Sequence, residues 1–205
     1  IGQVYVTLDT HKEYDIGHPK FWVDAHGNHP EPVTQISSAD ILDGRYSPVD
    51  RALRNHALAY AQALEFQGRF KITVWPEHCL VDGWGWQVYR PIEESLQRWS
   101  ETNGKTPVYK RKGTHYLTEH YAAFAAEYPI EDAPETQVDR ALLDQLAQHD
   151  MILVGGQALS HCVGETLRQL TELWPRELRE KVYLMLDTSS PVPGFEAHAD
   201  ALLEE

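Results

Sequence analysis

The chain has 205 residues, 42% hydrophobic and 24% charged, which is an ordinary soluble balance with length enough for one sizeable core. Its net charge of −13 argues against nonspecific binding to nucleic acid or to an anionic membrane surface, and no run approaches the ~20 apolar residues of a membrane helix. Two cysteines, Cys79 and Cys162, make a disulfide framework an unfavoured reading and suit a reducing, cytoplasmic compartment.

In chain order, residues 4–8 form an apolar run that predicts a strand ending at Asp9. Residues 10–47, rich in Pro, Gly, His and Asp, predict a long loop. A helix is expected over residues 48–66, with Ser47 as N-cap and Pro48 at the first helical position. Residues 71–74 predict a strand broken by Pro76, residues 87–100 a helix with Pro91 near its start, and residues 106–110 a short strand. Further elements follow: a helix over 138–149, a strand over 151–154, a helix over 162–174 and a last strand over 182–186 ending at Asp187. Repeated strand–helix units imply an α/β fold with a parallel sheet covered on both faces. In such sheets the site lies at the carboxyl ends of the strands. Asp9, His11, His78, Lys112 and Cys162 all fall there.

Two groups of residues carry chemistry. Cys162 follows the Gly-rich turn Gly155-Gly156 and opens a predicted helix, where backbone N–H groups favour a thiolate. The same position also suits a buried structural cysteine, and the segment alone does not separate the two. Asp9-Thr10-His11 is a D-x-H pair at a strand end, where alternate side chains point the same way. Asp and His ligate Zn²⁺, Fe²⁺ or Mn²⁺. Eleven histidines in the chain make such spacings common by chance, so D-x-H alone decides nothing. Cys79 is a further candidate ligand beside His78.

Taken together, Asp9-Thr10-His11, Trp75-Pro76-Glu77-His78-Cys79, Lys112-Gly113-Thr114 and the Gly156…Cys162-Val163 segment resemble, in this order, the nicotinamidases of the isochorismatase-like cysteine hydrolases. Tyr121-Ala122-Ala123-Phe124 resembles that family's Y-S-x-F segment, with Ala in place of Ser. The resemblance implies a single domain over residues 1–205, a three-layer α/β/α fold around a central parallel sheet. It implies Cys162 as nucleophile and Lys112, rather than Lys110, as the catalytic lysine. Asp9, His11 and His78 are implied as ligands of one divalent ion, Zn²⁺ ahead of Fe²⁺ or Mn²⁺, with His18 as a fourth candidate. Trp75, Tyr121 and His161 are implied to line the substrate pocket, although core packing explains Trp75 and Tyr121 nearly as well. A cis peptide is implied between Gln157 and Ala158, which would turn the Ala158 N–H toward the same oxygen as the Cys162 N–H to form an oxyanion hole.

The implied activity is hydrolysis of nicotinamide to nicotinate and ammonia through a thioester. Hydrolysis of another small amide, or an inactive relative used as a binding module, are the alternatives. A homo-oligomer with a small-molecule substrate is expected, without nucleic acid or membrane partners. Two departures stand out. No I-D-x-Q segment, which carries the family's catalytic aspartate on its first central strand, precedes Val4, so the polypeptide is expected to continue beyond both ends of this sequence. Residues 22–46 read as an insertion that would reshape the pocket or mediate contacts between subunits.

Overall fold

Tyr5–Asp9 forms strand β1, as the apolar run before Asp9 predicts. The computed structural model describes residues 1–68 and 70–205. They divide into two compact units, Ile1–Glu119 and His120–Glu205.

The predicted loop over residues 10–47 is instead built of short elements. A 3-10 turn at Pro19–Phe21 leads into β2 (Trp22–Asp24), followed by β3 (Thr34–Ile36), helix α1 (Ser38–Leu42) and β4 (Tyr46–Pro48). Ser37 and Asp40 form a reciprocal capping box that starts α1. β2 and β4 pair antiparallel, with Trp22 opposite Pro48. Pro48 is therefore a strand residue rather than the first residue of a helix. Asp50 caps a 3-10 turn at Arg51–Leu53, and helix α2 runs from Arg54 to Gln67. Phe21, Trp22, Ile36, Ile41, Tyr60 and Leu64 are buried, so the segment read as an insertion carries core residues of its own.

Next comes β5 (Ile72–Val74), buried along its length and antiparallel to β3. These two antiparallel pairs depart from the all-parallel expectation. Helix α3 spans Arg90–Asn103 with Pro91 in its first turn, where a missing N–H costs nothing. β6 (Val108–Lys112) closes the unit and pairs with β1 in parallel, register Tyr5↔Val108 to Asp9↔Lys112.

The second unit holds α4 (Arg140–Ala147), capped by the Asp139 carboxylate on Leu142 N at 2.9 Å. Its apolar face, Leu142, Leu143 and Leu146, is buried. β7 (Ile152–Gln157) follows and runs into a π-helical turn at Leu159–Val163, then α5 (Gly164–Leu173). Cys162 thus sits within the π turn, two residues before α5, whereas the sequence pattern starts the helix at residue 162. The short α6 (Arg176–Arg179), β8 (Val182–Ser190) and α7 (Glu196–Glu204) complete the unit. β7 and β8 pair in parallel. Leu159, Val163 and Ala199 form a buried cluster, with Val154, Leu167, Leu184 and Leu202 packed against it. The cluster fastens the π turn to both the sheet and α7. Among the described residues no helix is long and apolar enough to cross a membrane.

Candidate functional site

In the first unit the site grows from the paired ends of β1 and β6. Register sets Asp9 opposite Lys112, and the Lys112 ammonium hydrogen-bonds the Asp9 carboxylate. Beyond the strand, Thr10 N donates to Lys112 O at 2.8 Å. The chain then lies against residues 79–81: His11 N donates to Cys79 O (3.1 Å) and Val81 N to His11 O (3.0 Å). That short parallel bridge carries His78 to the side of β1 where Asp9 and His11 project.

Asp9, His11 and His78 each offer one ligand atom, and these atoms lie within 4.8 Å of one another. One carboxylate and two imidazoles so placed fit a divalent ion of the zinc, iron or manganese kind. His18 stands beside them: its ring centroid is 5.4 Å from that of His11 and 5.3 Å from that of His78. Its Nε2, however, faces His78 Nδ1 at 3.3 Å. Gly113 lies over the His11 ring with φ +71°, and a Cβ there would meet His11 Cε1 at 2.8 Å. The glycine of Lys112-Gly113-Thr114 thereby makes room for a ligand ring.

Electrostatics differ from one ring to the next. Burial would raise the Asp9 carboxyl, but the charge and hydrogen bond of Lys112 outweigh it and hold the group below its ordinary value. Burial would also lower His11, yet Asp15, Glu119 and Asp9 lift it to about 8. His78, buried and facing His11, is pushed down to about 4. Burial lowers His18 as well. Glu119 is raised to about 7, first by burial and then by the charges of Asp15 and Asp9. Asp15 and Glu119 are absent from the sequence reading. Their only signal is position, Asp15 four residues after His11 and Glu119 seven after Lys112, and loop carboxylates look alike in a sequence.

In the second unit Cys162 is half-buried and free of any disulfide. The π turn holds it: Val163 N and His161 N both donate to Ala158 O, at 3.0 and 3.1 Å, and Thr166 Oγ1 donates to Cys162 O at 2.6 Å. The peptide between Gln157 and Ala158 is cis. Tyr121 and His161 meet edge-on, ring centroids 5.2 Å apart, and both are buried. His161 also packs on Phe195 (4.9 Å) and stacks with His198 (6.1 Å), and its Nδ1 lies 2.9 Å from Ser160 Oγ. Burial, reinforced by His198, lowers His161 to about 4. Phe195 and His198 belong to the C-terminal segment, which no motif singled out. Trp75 lies in the first unit, half-buried, its backbone N–H donating to Gly17 O at 2.7 Å.

No family model and no curated protein matches the chain. Solved structures do. A yeast nicotinamidase is 20% identical, with a TM-score of 0.60 over 98% of this chain and 74% of that one. A nicotinamidase and pyrazinamidase from Acinetobacter is 16% identical, with a TM-score of 0.58 over 100% of this chain and 74% of that one. The yeast nicotinamidase bound to the inhibitor nicotinaldehyde is 18% identical, with a TM-score of 0.60 over 99% of this chain and 74% of that one. At these identities the likeness shows the fold: this chain has the α/β fold of the nicotinamidase structures.

Proposed function

We propose that this chain is a metal-dependent cysteine amidase that hydrolyses nicotinamide to nicotinate and ammonia. The observation that carries the reading is the convergence of Asp9, His11 and His78 at the end of β1, in a chain with the nicotinamidase fold. Asp9, His11 and His78 hold the ion, with Zn²⁺ assigned first and Fe²⁺ or Mn²⁺ as alternatives; His18 stands next to the set. An ion held by these residues would supply a positive centre able to orient the substrate ring and to lower the pKa of a bound water.

Cys162 is the nucleophile. Its thiolate attacks the carboxamide carbon, and the C=O electron pair moves onto oxygen. The N–H groups of Ala158 and Cys162 receive that oxyanion. The amide nitrogen takes up the proton that the Cys162 thiol gave up and leaves as ammonia, so collapse leaves a thioester on Cys162; water then cleaves it to nicotinate and returns a proton to the thiol. Lys112 supplies positive charge that favours the thiolate. Trp75, Tyr121 and His161 border the substrate. The protein so read is a single-domain cytoplasmic enzyme of pyridine nucleotide salvage that works as a homo-oligomer.

A second reading has one observation behind it. Lys112 is engaged by Asp9, and an ammonium held by a metal-ligating carboxylate has less charge to offer a thiolate. A relative that binds a small amide without turnover fits that pairing. Ammonia release from nicotinamide by zinc-loaded protein separates the two. Release supports the amidase, binding without release supports the binding module, and neither result overturns both.

A further inference from the structure

Three imidazoles meet at the end of β1, and in each the Nδ1 atom faces an acceptor atom of the protein. His18 Nδ1 lies 2.9 Å from Lys12 O and His78 Nδ1 2.9 Å from Pro76 O. Both are hydrogen-bond distances to carbonyls that can only accept, which fixes the proton on Nδ1. Among the described residues no carbonyl meets His11 Nδ1, which is buried and makes no hydrogen bond to them. The facing group is the Asp15 carboxylate, Oδ2 at 3.5 Å, and both side chains are almost wholly buried.

Asp15 is itself held in place. Its Oδ1 accepts from Gly17 N at 3.0 Å, and its carbonyl accepts from His18 N at 2.8 Å, so residues 15–18 close a tight turn. Gly17 lets the Glu119 carboxyl approach that turn closely, because a Cβ there would meet its side-chain end. The turn therefore aims one oxygen of Asp15 at its own backbone and the other at His11. A buried carboxylate with one oxygen pinned and one facing a ring nitrogen orients that ring, and carboxylates in this outer position typically change metal affinity by about 10–100-fold when removed.

We propose that Asp15 is the positioning residue of the metal centre: its carboxylate holds the proton on His11 Nδ1 and leaves Nε2 as the atom that binds the ion. The inference rests on the reading of Asp9, His11 and His78 as a metal site. His18 follows the same pattern one step further out, since its Nε2 is directed at His78 Nδ1 rather than away from it.

The test is zinc affinity of the purified full chain, measured by competition with a chromophoric chelator, for the parent protein and for Asp15→Asn. A roughly 10–100-fold weaker affinity in Asp15→Asn, with Asp15→Glu recovering part of the loss, is the expected result. Equal affinity in parent and Asp15→Asn overturns the role of Asp15 and leaves the metal site standing. Failure of the parent to bind zinc overturns both. Cadmium-loaded parent protein with isotope-labelled histidine gives a readout that needs no variant to fold. Cadmium–nitrogen coupling at His11 Nε2 agrees with the proposal, and coupling at Nδ1 overturns it.

Discussion

The two chemical centres of this chain each follow a parallel strand, and each contains a buried histidine, yet they treat that histidine in opposite ways. At the end of β1, His11 faces Asp15, Glu119 and Asp9 and is lifted to about 8. In the turn after β7, His161 is packed among Tyr121, Phe195 and His198 and falls to about 4. Burial acts in the same direction on both rings. The difference comes from neighbours: carboxylates face His11 and hold charge on it, whereas burial among rings keeps His161 neutral, as burial and the facing His11 also do for His78 in the first centre. In the proposed reaction the first group would hold an ion and the second would border the amide.

The comparison can be broken first at its covalent step. Cys162→Ala should reduce ammonia release from nicotinamide to background, a loss on the order of 10⁴-fold or more, while zinc content stays unchanged. Loss of zinc in that variant would mean the two centres are not chemically separate. His78→Ala should do the reverse. Zinc affinity should fall by more than about 100-fold, beyond the range of an outer-layer change, and activity with it, while circular dichroism stays native. A full zinc complement after that change would place the ion elsewhere.

The contrast also predicts a pH effect. The folded-state pKa of His161, about 4, lies below the ordinary value of 6.5. Between these values the unfolded chain takes up a proton that the native ring refuses, so stability is full above pH 6.5 and falls as pH drops toward 4. The loss from this one group is roughly 3 kcal/mol at most. Denaturant midpoints between pH 7 and pH 4 should show a shallower fall in His161→Gln than in the parent. An unchanged slope would mean His161 is not the group that resists protonation.

A smaller structural effect is expected at Gly113. Alanine there must adopt φ +71° and press on His11 Cε1, so Gly113→Ala should cost more than about 1 kcal/mol and weaken zinc binding as well. The smallest contrast is between the thiols. Burial and the charge of Asp9 raise the Cys79 thiol, so brief iodoacetamide treatment should label Cys162 several-fold faster, as read by peptide mapping.

Much of this was legible in the sequence wherever a strand runs straight into chemistry. The apolar runs before Asp9 and before the Gly-rich turn predict β1 and β7, and both strands form there in parallel pairs, although they are half-buried rather than buried, with Thr7 and Leu153 exposed. Helices α3 and α4 were found within a few residues from their Pro and Leu spacing. Residues 22–48 were not legible. Their three-residue strands pair Trp22 with Pro48 and Ile36 with Ile72, partners chosen by tertiary contact and not by local period. The capping box at Ser37 and Asp40 was a local signal for α1 that the loop-like composition masked. In the site, D-x-H and the His78 segment named three residues that the fold brings together, and that convergence is a fact of folding. Asp15, Glu119, Phe195 and His198 had no motif. Burial is what gives those residues their roles, and burial of a loop carboxylate is not written in a sequence.

In the proposed reaction Asp9, His11 and His78 hold an ion and Cys162 carries the acyl group, and one assay addresses both roles directly. Ammonia release from nicotinamide should be measured on the zinc-loaded chain alongside its Cys162→Ala and His78→Ala variants, with zinc content determined on the same samples. The account predicts release by the parent, none by Cys162→Ala despite bound zinc, and little by His78→Ala, which has lost it. Release that survives Cys162→Ala, or no release from a parent that holds zinc and binds nicotinamide, would contradict it.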